Sequence, residues 1–239
     1  MTKATYNPII VALDVESAAE ARELVASIGP RVNFYKVGLE LYTAAGMEIV
    51  NELLALGKQV FLDLKFYDIP ETVSRAVARV AATGVHFLTV HAVPSVMRAA
   101  VVGRGNSKLR LLGVTVLTSF GPEDMDELGC QGTVADLVLR RAHSAMEAGV
   151  DGVIASPLEA RAIRAAMGPD ALLVTPGVRS PGADKGDQKR VATPAQAMRD
   201  GASYLVIGRQ ITRAADPAAA AGQVLMELAE AVPAASHES

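Results

Sequence analysis

Short apolar runs recur along the whole chain, and each is followed by a segment with helical spacing of its apolar positions. The runs are Ile9-Ile10-Val11-Ala12-Leu13, Asn33-Phe34-Tyr35-Lys36-Val37, Gln59-Val60-Phe61-Leu62 and His86-Phe87-Leu88-Thr89-Val90, then Leu111-Leu112-Gly113-Val114-Thr115-Val116, Gly152-Val153-Ile154-Ala155, Leu172-Leu173-Val174-Thr175 and Tyr204-Leu205-Val206-Ile207. Each is too short to be a buried helix, so all are predicted to be strands. The intervening segments carry helix punctuation: Ser17 to Ile28 stops at Gly29, Glu40 to Leu56 at Gly57, and Glu71 to Ala82 just before Gly84. The phrases AATGVHFL, MEAGVDGV and MRDGASYL repeat one grammar of helix end, glycine and next strand.

Eight strand-plus-helix units without a low-complexity linker predict an α/β fold, a (β/α)8 TIM barrel in a single domain covering 1–239, because closure at eight strands removes both sheet edges. The barrel proper is expected over about residues 9–231, with 233–239 as a small, polar, flexible tail. The competing doubly wound sheet is weakened by the first turn. Val11-Ala12-Leu13-Asp14 runs into Val15-Glu16-Ser17 with no G-x-G-x-x-G.

Composition narrows this picture. Half of the 239 residues are hydrophobic but only 4% are aromatic and none is Trp, so the core is expected to come mostly from Ala, Val, Leu and Ile. The net charge of −3, with 23 basic residues interleaved among acids, argues against a nucleic-acid partner. Cys130 is the single cysteine, and no cysteine–histidine cluster has zinc spacing, so neither a disulfide nor a structural metal is expected. The start, MTKATYNPIIVALDV, lacks a signal-peptide apolar region, and no uncharged apolar stretch reaches about 18 residues. A cytoplasmic protein with no membrane partner is the expectation.

In such barrels chemistry sits at the C-terminal ends of the strands. Asp14 ends the first run, Lys36 lies near the end of the second, Asp63 and Lys65 end the third, His91 ends the fourth and Thr118 follows the fifth. Strand side chains alternate, so Asp63 and Lys65 should share a face with Phe61 below them. Alone, that pair reads equally well as a structural ion pair. Asp68 followed by Ile69-Pro70-Glu71 also fits a helix N-cap. Together, Asp14, Lys36, Asp63 and Lys65 place alternating charges around one opening, which favours function. A lysine between carboxylates is held as ammonium, a proton donor rather than a Schiff-base nucleophile, since each opposite charge at about 4 Å is worth on the order of 4 kcal/mol at an effective dielectric of about 20.

An anion site is expected at the other side of the mouth, where loops after strands seven and eight commonly bind phosphate. Thr175-Pro176-Gly177-Val178-Arg179 opens a loop through Gly182, Gly186, Asp187 and Gln188 to Val191, long enough and rich enough in glycine and proline to be a lid, and Ile207-Gly208-Arg209 ends the last strand. Gly208-Arg209 could also be a plain turn. His91 is left open between a core role and a site role.

The chain resembles the orotidine 5'-phosphate decarboxylase family over essentially residues 9–231. The most specific match is Asp63-x-Lys65-x-x-Asp68-Ile69-Pro70, supported by Ala12-Leu13-Asp14, Lys36-Val37-Gly38, Val90-His91-Ala92, Leu117-Thr118-Ser119, Pro176-Gly177-Val178-Arg179, Gly186-Asp187-Gln188 and Ile207-Gly208-Arg209. The resemblance implies conversion of orotidine 5'-phosphate to uridine 5'-phosphate and carbon dioxide with no metal or organic cofactor. It implies that Lys65 protonates the pyrimidine carbon, that Asp63 crowds the departing carboxylate, and that Asp14 and Lys36 contact the ribose. Thr118 would meet the base, and Arg179, Gln188, Gly208 and Arg209 the phosphate. Asp68, with Thr72 at the ribose, would reach the site of the neighbouring subunit in a homodimer. One departure is visible: many members carry a glycine pair shortly after the strand-four histidine, where this chain has His91-Ala92-Val93-Pro94-Ser95.

Two alternatives belong to other classes. A magnesium-dependent lyase similar to 3-keto-gulonate-phosphate decarboxylase shares the Asp-x-Lys-x-x-Asp pattern, but that relative places a glutamate at the strand-two position, where an ammonium on Lys36 would repel the ion. A non-catalytic phospho-ligand barrel would keep the phosphate loops but leave the Lys65 cluster without a task.

Overall fold

The structure, a computed structural model, describes residues 6–127, 129–181 and 191–231. The expected tail at 233–239 lies outside the described residues. Eight parallel strands close on themselves in sequence order: β1 (Ile9–Ala12), β2 (Phe34–Gly38), β3 (Gln59–Phe66), β4 (Phe87–His91), β5 (Arg110–Val114), β6 (Gly152–Ile154), β7 (Leu172–Thr175) and β8 (Tyr204–Ile207), with β8 pairing back onto β1. This is the predicted (β/α)8 barrel. Around it run α1 (Ala18–Ile28), α2 (Leu39–Ala55), α3 (Pro70–Ala81), α4 (Pro94–Arg104), α5 (Pro122–Glu127), α6 (Val134–Ala148), α7 (Ala160–Met167), α8 (Pro194–Arg199), α9 (Arg209–Thr212) and α10 (Pro217–Ala231). Among the described residues no helix is long and apolar enough to cross a membrane.

Local signals explain several boundaries. Ser17 caps α1 by accepting from the Glu20 amide, and Gly29 ends that helix with a φ of 63°. Thr133 and Asp136 form a reciprocal capping box at the start of α6. Two boundaries depart from expectation. The Glu40–Leu56 segment is broken at Gly46, whose φ of 57° and ψ of −148° divide α2 into two helical pieces. Asp68 is not an N-cap: α3 is capped at Ile69 with no side-chain bond, and Asp68 Oδ1 instead accepts from the adjacent Ile69 amide at 2.6 Å.

Two apolar layers form. Between strands and helices lies the expected core of Val, Leu, Ile and Ala. Inside the barrel the filling is different: Phe34, Phe61 and Phe87 pack with Ile10, Leu112, Val174 and Val206, joined by Tyr204. Phe34, Phe87 and Tyr204, all from even-numbered strands, meet edge to face with ring centroids 4.9–5.7 Å apart. Four of the ten Phe and Tyr residues thus gather inside the barrel, three of them at its floor.

Above that floor the inward-facing columns turn polar. Residues two apart share a face, so β1 leads up to Asp14, β2 rises through Phe34 to Lys36, β3 through Phe61 to Asp63, and β4 through Phe87 to Thr89 and His91. The outer wall is tightly seated. A Cβ on Gly103 in α4 would lie 2.1 Å from the Ser74 carbonyl oxygen in α3. Gly103→Ala is therefore expected to destabilise the fold by about 1–3 kcal/mol, lowering the thermal unfolding midpoint measured by circular dichroism; an unchanged midpoint would show that the α3–α4 contact yields freely.

Candidate active site

At the C-terminal rim of the strands a cavity of about 610 Å3 opens. Phe61, Val114, Ile154 and Val206 contribute apolar surface to it, and Asp14, Lys36, Asp63, Lys65, Thr118, Arg179, Gly208 and Arg209 also line it. Eight of the residues singled out from sequence are therefore brought to one opening.

The charged side is a chain of alternating sign. Lys36 Nζ lies 2.8 Å from Asp14 Oδ1 and 3.6 Å from Asp63 Oδ2, and Lys65 Nζ lies 2.9 Å from Asp63 Oδ1. Lys36 is only 7% exposed, whereas the Asp14 side chain opens to solvent. Gly38 makes the first pair possible: a Cβ there would sit 2.7 Å from Lys36 Nζ and 3.1 Å from Asp14 Oδ1. Burial acts most strongly on the Asp63 carboxyl and by itself would raise its pKa. The Lys36 and Lys65 charges, with hydrogen bonds from Lys65 and Thr89, outweigh it and hold the group below its ordinary value.

Lys65 reaches Asp63 by an irregular route. Pairing of β3 with β4 runs Phe61 to Phe87 and Leu62 to Leu88, then resumes at Phe66 with Val90, so β3 holds a bulge over Asp63, Leu64 and Lys65. Lys65 has a φ of 50°, the one positive value at a non-glycine among the described residues. The expected convergence of Asp63 and Lys65 is present, but simple strand alternation does not produce it. Thr89 stands beneath the bulge, accepting from the Lys65 amide at 2.9 Å and donating to Asp63 Oδ1 at 3.0 Å.

His91, at the end of β4, does not line the cavity; its ring lies 5.3 Å from that of Tyr67. Burial first, then the charges of Arg141 and Lys65, press its pKa below the ordinary value. Asp68 and Thr72 also lie away from this cavity. Asp68 is exposed between Tyr67 and Ile69, themselves 66% exposed, and Thr72 follows in the first turn of α3.

On the opposite rim, Gln188 and the other loop positions 182–190 lie outside the described residues. The two stems of that loop meet: Val178 bridges Ala192, and the Arg179 amide donates to the Ala192 carbonyl at 3.0 Å. Ser180 then ties this stem to α9 and α10, which follow β8. Its amide donates to Gln210 Oε1 at 3.0 Å, and its hydroxyl donates to Glu227 Oε2 at 2.7 Å while accepting from Gln210 Nε2. Sequence reading missed Thr89, Gly38 and the Ser180–Gln210–Glu227 link. Only Gly38 left a trace there, within Lys36-Val37-Gly38.

A closed parallel barrel with a largely buried carboxylate between two ammoniums at its mouth, facing a rim that carries arginines, defines an enzyme of the (β/α)8 class. The chain belongs to the orotidine 5'-phosphate decarboxylase / HUMPS family, whose model matches residues 7–224. It is 54% identical over 224 residues to the orotidine 5'-phosphate decarboxylase of Nitrobacter winogradskyi, covering 94% of this chain and 93% of that one. It is 53% identical over 226 residues to the protein of that name from Methylobacterium sp. strain 4-46, covering 93% and 96%. Among solved structures, the crystal structure of orotidine 5'-phosphate decarboxylase from Lactobacillus acidophilus matches with a TM-score of 0.83 at 37% identity, over 93% of this chain and 99% of that one.

Because its pKa is depressed in the folded state, Asp63 contributes stability that is present above its ordinary value of 3.8 and is lost as pH falls through the lower folded value. Lys36→Met removes the largest favourable charge from beside it. That variant is expected to lose this stability at higher pH than the wild type, read from urea unfolding across an acidic pH series. Coincident curves would mean Lys36 does not sustain the Asp63 charge.

Proposed function

We propose that this protein converts orotidine 5'-phosphate to uridine 5'-phosphate and carbon dioxide in pyrimidine biosynthesis, with Lys65 as proton donor and no cofactor. The observation that carries the reading is the Lys65 ammonium held 2.9 Å from the largely buried Asp63 carboxylate at the mouth of the cavity. Family membership and full-length relatives bearing the decarboxylase name support it, and make the chain a carbon–carbon lyase.

The chemistry follows from charge. With the pyrimidine carboxylate turned toward Asp63, two anions in a low-dielectric site repel, and expulsion of neutral carbon dioxide relieves that repulsion. The carbon–carbon bond breaks and its electron pair stays on the ring carbon. An ammonium already directed there stabilises the growing negative charge and delivers the proton, after which solvent reprotonates the amine. A fixed donor needs little reorganisation at that moment.

In this reading Asp14 and Lys36 hold the ribose, Thr118 meets the base, and Arg179, Gln188, Gly208 and Arg209 bind the phosphate. Phosphate binding remote from the reacting carbon contributes the free energy that places the carboxylate beside Asp63. Asp68 and Thr72 serve the neighbouring site of a homodimer. Their position away from their own chain's cavity, with exposed Tyr67 and Ile69 beside Asp68, supports that assignment. The whole chain acts as one cytoplasmic domain. Lys36, a cation already paired with two carboxylates, disfavours a magnesium ion between them.

Orotidine 5'-phosphate mixed with the protein should lose its characteristic absorbance at an undiminished rate in excess chelator; an unchanged spectrum refutes the reading, and inhibition by chelator refutes its cofactor-free part. Lys65→Ala should abolish turnover while still binding a uridine monophosphate analogue tightly by calorimetry, and normal turnover would remove Lys65 from its role. Mixing inactive Lys65→Ala with inactive Asp68→Ala should restore activity through hybrid dimers. Absence of rescue despite demonstrated subunit exchange would return Asp68 to its own chain.

A further inference from the structure

We infer that Thr89 is a positioning residue for the proton donor, fixing both ends of the Lys65 side chain through one hydroxyl. The inference rests on the reading of Lys65 as that donor. Thr89 occupies the inward column of β4, is fully buried and does not line the cavity, so it has no contact with a substrate to explain it.

Its hydrogen bonds have only one possible sense. A backbone N–H can only donate and an ionised carboxylate can only accept, so Thr89 Oγ1 accepts from the Lys65 amide at 2.9 Å and must donate its single proton to Asp63 Oδ1 at 3.0 Å. The same Oδ1 accepts from Lys65 Nζ at 2.9 Å. A ring therefore closes from the Lys65 backbone through Thr89 and Asp63 back to the Lys65 ammonium. The root and the tip of one flexible lysine are referred to one rigid β-branched residue on the next strand.

The ring sits where the backbone needs support. The bulge in β3 interrupts its register with β4 between Leu62 and Phe66, the Lys65 amide there donates to the Thr89 hydroxyl, and Lys65 holds a φ of 50° that a non-glycine residue adopts only when its surroundings fix it. The Thr89 hydroxyl is inserted where the register is interrupted. It also adds a donor to the one carboxylate oxygen that holds the ammonium, so removing it loosens the backbone and raises the Asp63 pKa together.

The charged groups around that carboxylate are Lys36 from β2 and Lys65 from its own strand. Further out are Asp14 beyond β1, paired with Lys36, and His91 at the end of β4, within the field of Lys65 and Arg141. None of these is altered by Thr89→Val, which replaces the hydroxyl by a methyl of similar size. Any displacement of the Asp63 titration therefore reports the lost O–H.

The test compares Thr89→Val and Thr89→Ser in the full chain. In Thr89→Val, kcat for orotidine 5'-phosphate should fall roughly 10- to 100-fold with KM within about threefold of wild type, since misplacement of a reacting group affects the chemical step more than binding. The acid limb of the kcat profile should move to higher pH. Thr89→Ser, which keeps the hydroxyl, should stay within about threefold of wild type in kcat.

A Thr89→Val enzyme with reduced thermal stability but unaltered kcat and acid limb would overturn the inference, leaving Thr89 as packing alone. Two readouts need no substrate: the Lys65 amide should exchange with solvent faster in Thr89→Val, and the Asp63 carboxyl should titrate higher by carbon NMR. Should wild type fail to act on orotidine 5'-phosphate, the proposed function falls, and these two measurements still decide whether Thr89 sets Lys65 and Asp63. No change in either refutes it. If Thr89→Val does not fold, Thr89→Ala takes its place in every measurement, and the same outcomes support or overturn the inference.

Discussion

Asp63 is a carboxylate that the barrel takes largely out of water, and much of what surrounds it follows from the need to offset that transfer. Desolvation alone would favour the neutral acid, yet two ammoniums and a threonine hydroxyl reverse the balance. Such an arrangement contributes little net stability, because Asp63 and Lys36 are also largely stripped of water. Removing one partner is another matter, costing about 3–5 kcal/mol when a buried charge is left alone. The group is therefore better understood as a device for orienting charge than as a source of stability.

The barrel supplies that device by carrying each inward column from apolar to polar over a few residues. Phe34 gives way to Lys36, Phe61 to Asp63 and Phe87 to Thr89, so side chains from adjacent strands interact at the level where the core ends. Regular strand geometry is abandoned at one place, the bulge that lifts Lys65 onto the Asp63 oxygen. On the far rim the Ser180–Gln210–Glu227 link joins the strand-seven loop to α9 and α10, binding the stem that carries Arg179 to the helix that begins at Arg209.

The barrel was legible because it is written in local periods: short apolar runs, helical spacing and a glycine at many helix ends. Asp14, Lys36, Asp63 and Lys65 were legible because residues that end such runs must face the rim. What escaped depends on pairing across strands. The hydrogen bonds of Thr89 span 24 and 26 residues and answer to a two-residue register shift, which no local pattern encodes. The aromatic floor was hidden for the same reason, since 4% aromatic content says nothing of where the rings gather. At Asp68 the local pattern offered a helix cap beside a site role: Asp-Ile-Pro-Glu has the composition of a cap, but the helix begins two residues on, at Pro70, and the carboxylate accepts from its neighbouring amide instead.

The three rings that seal the lower end have a consequence for molecular traffic. With Phe34, Phe87 and Tyr204 packed edge to face beneath Phe61, Leu112 and Val206, the barrel interior below the cavity is filled by side chains. Solvent displaced when the cavity fills, and any gas released there, is then expected to leave by the C-terminal rim at which a ligand came in. Departure is then governed by how quickly that opening clears, and a mutation at the rim can change the pace of a cycle whose bond-breaking step it never touches.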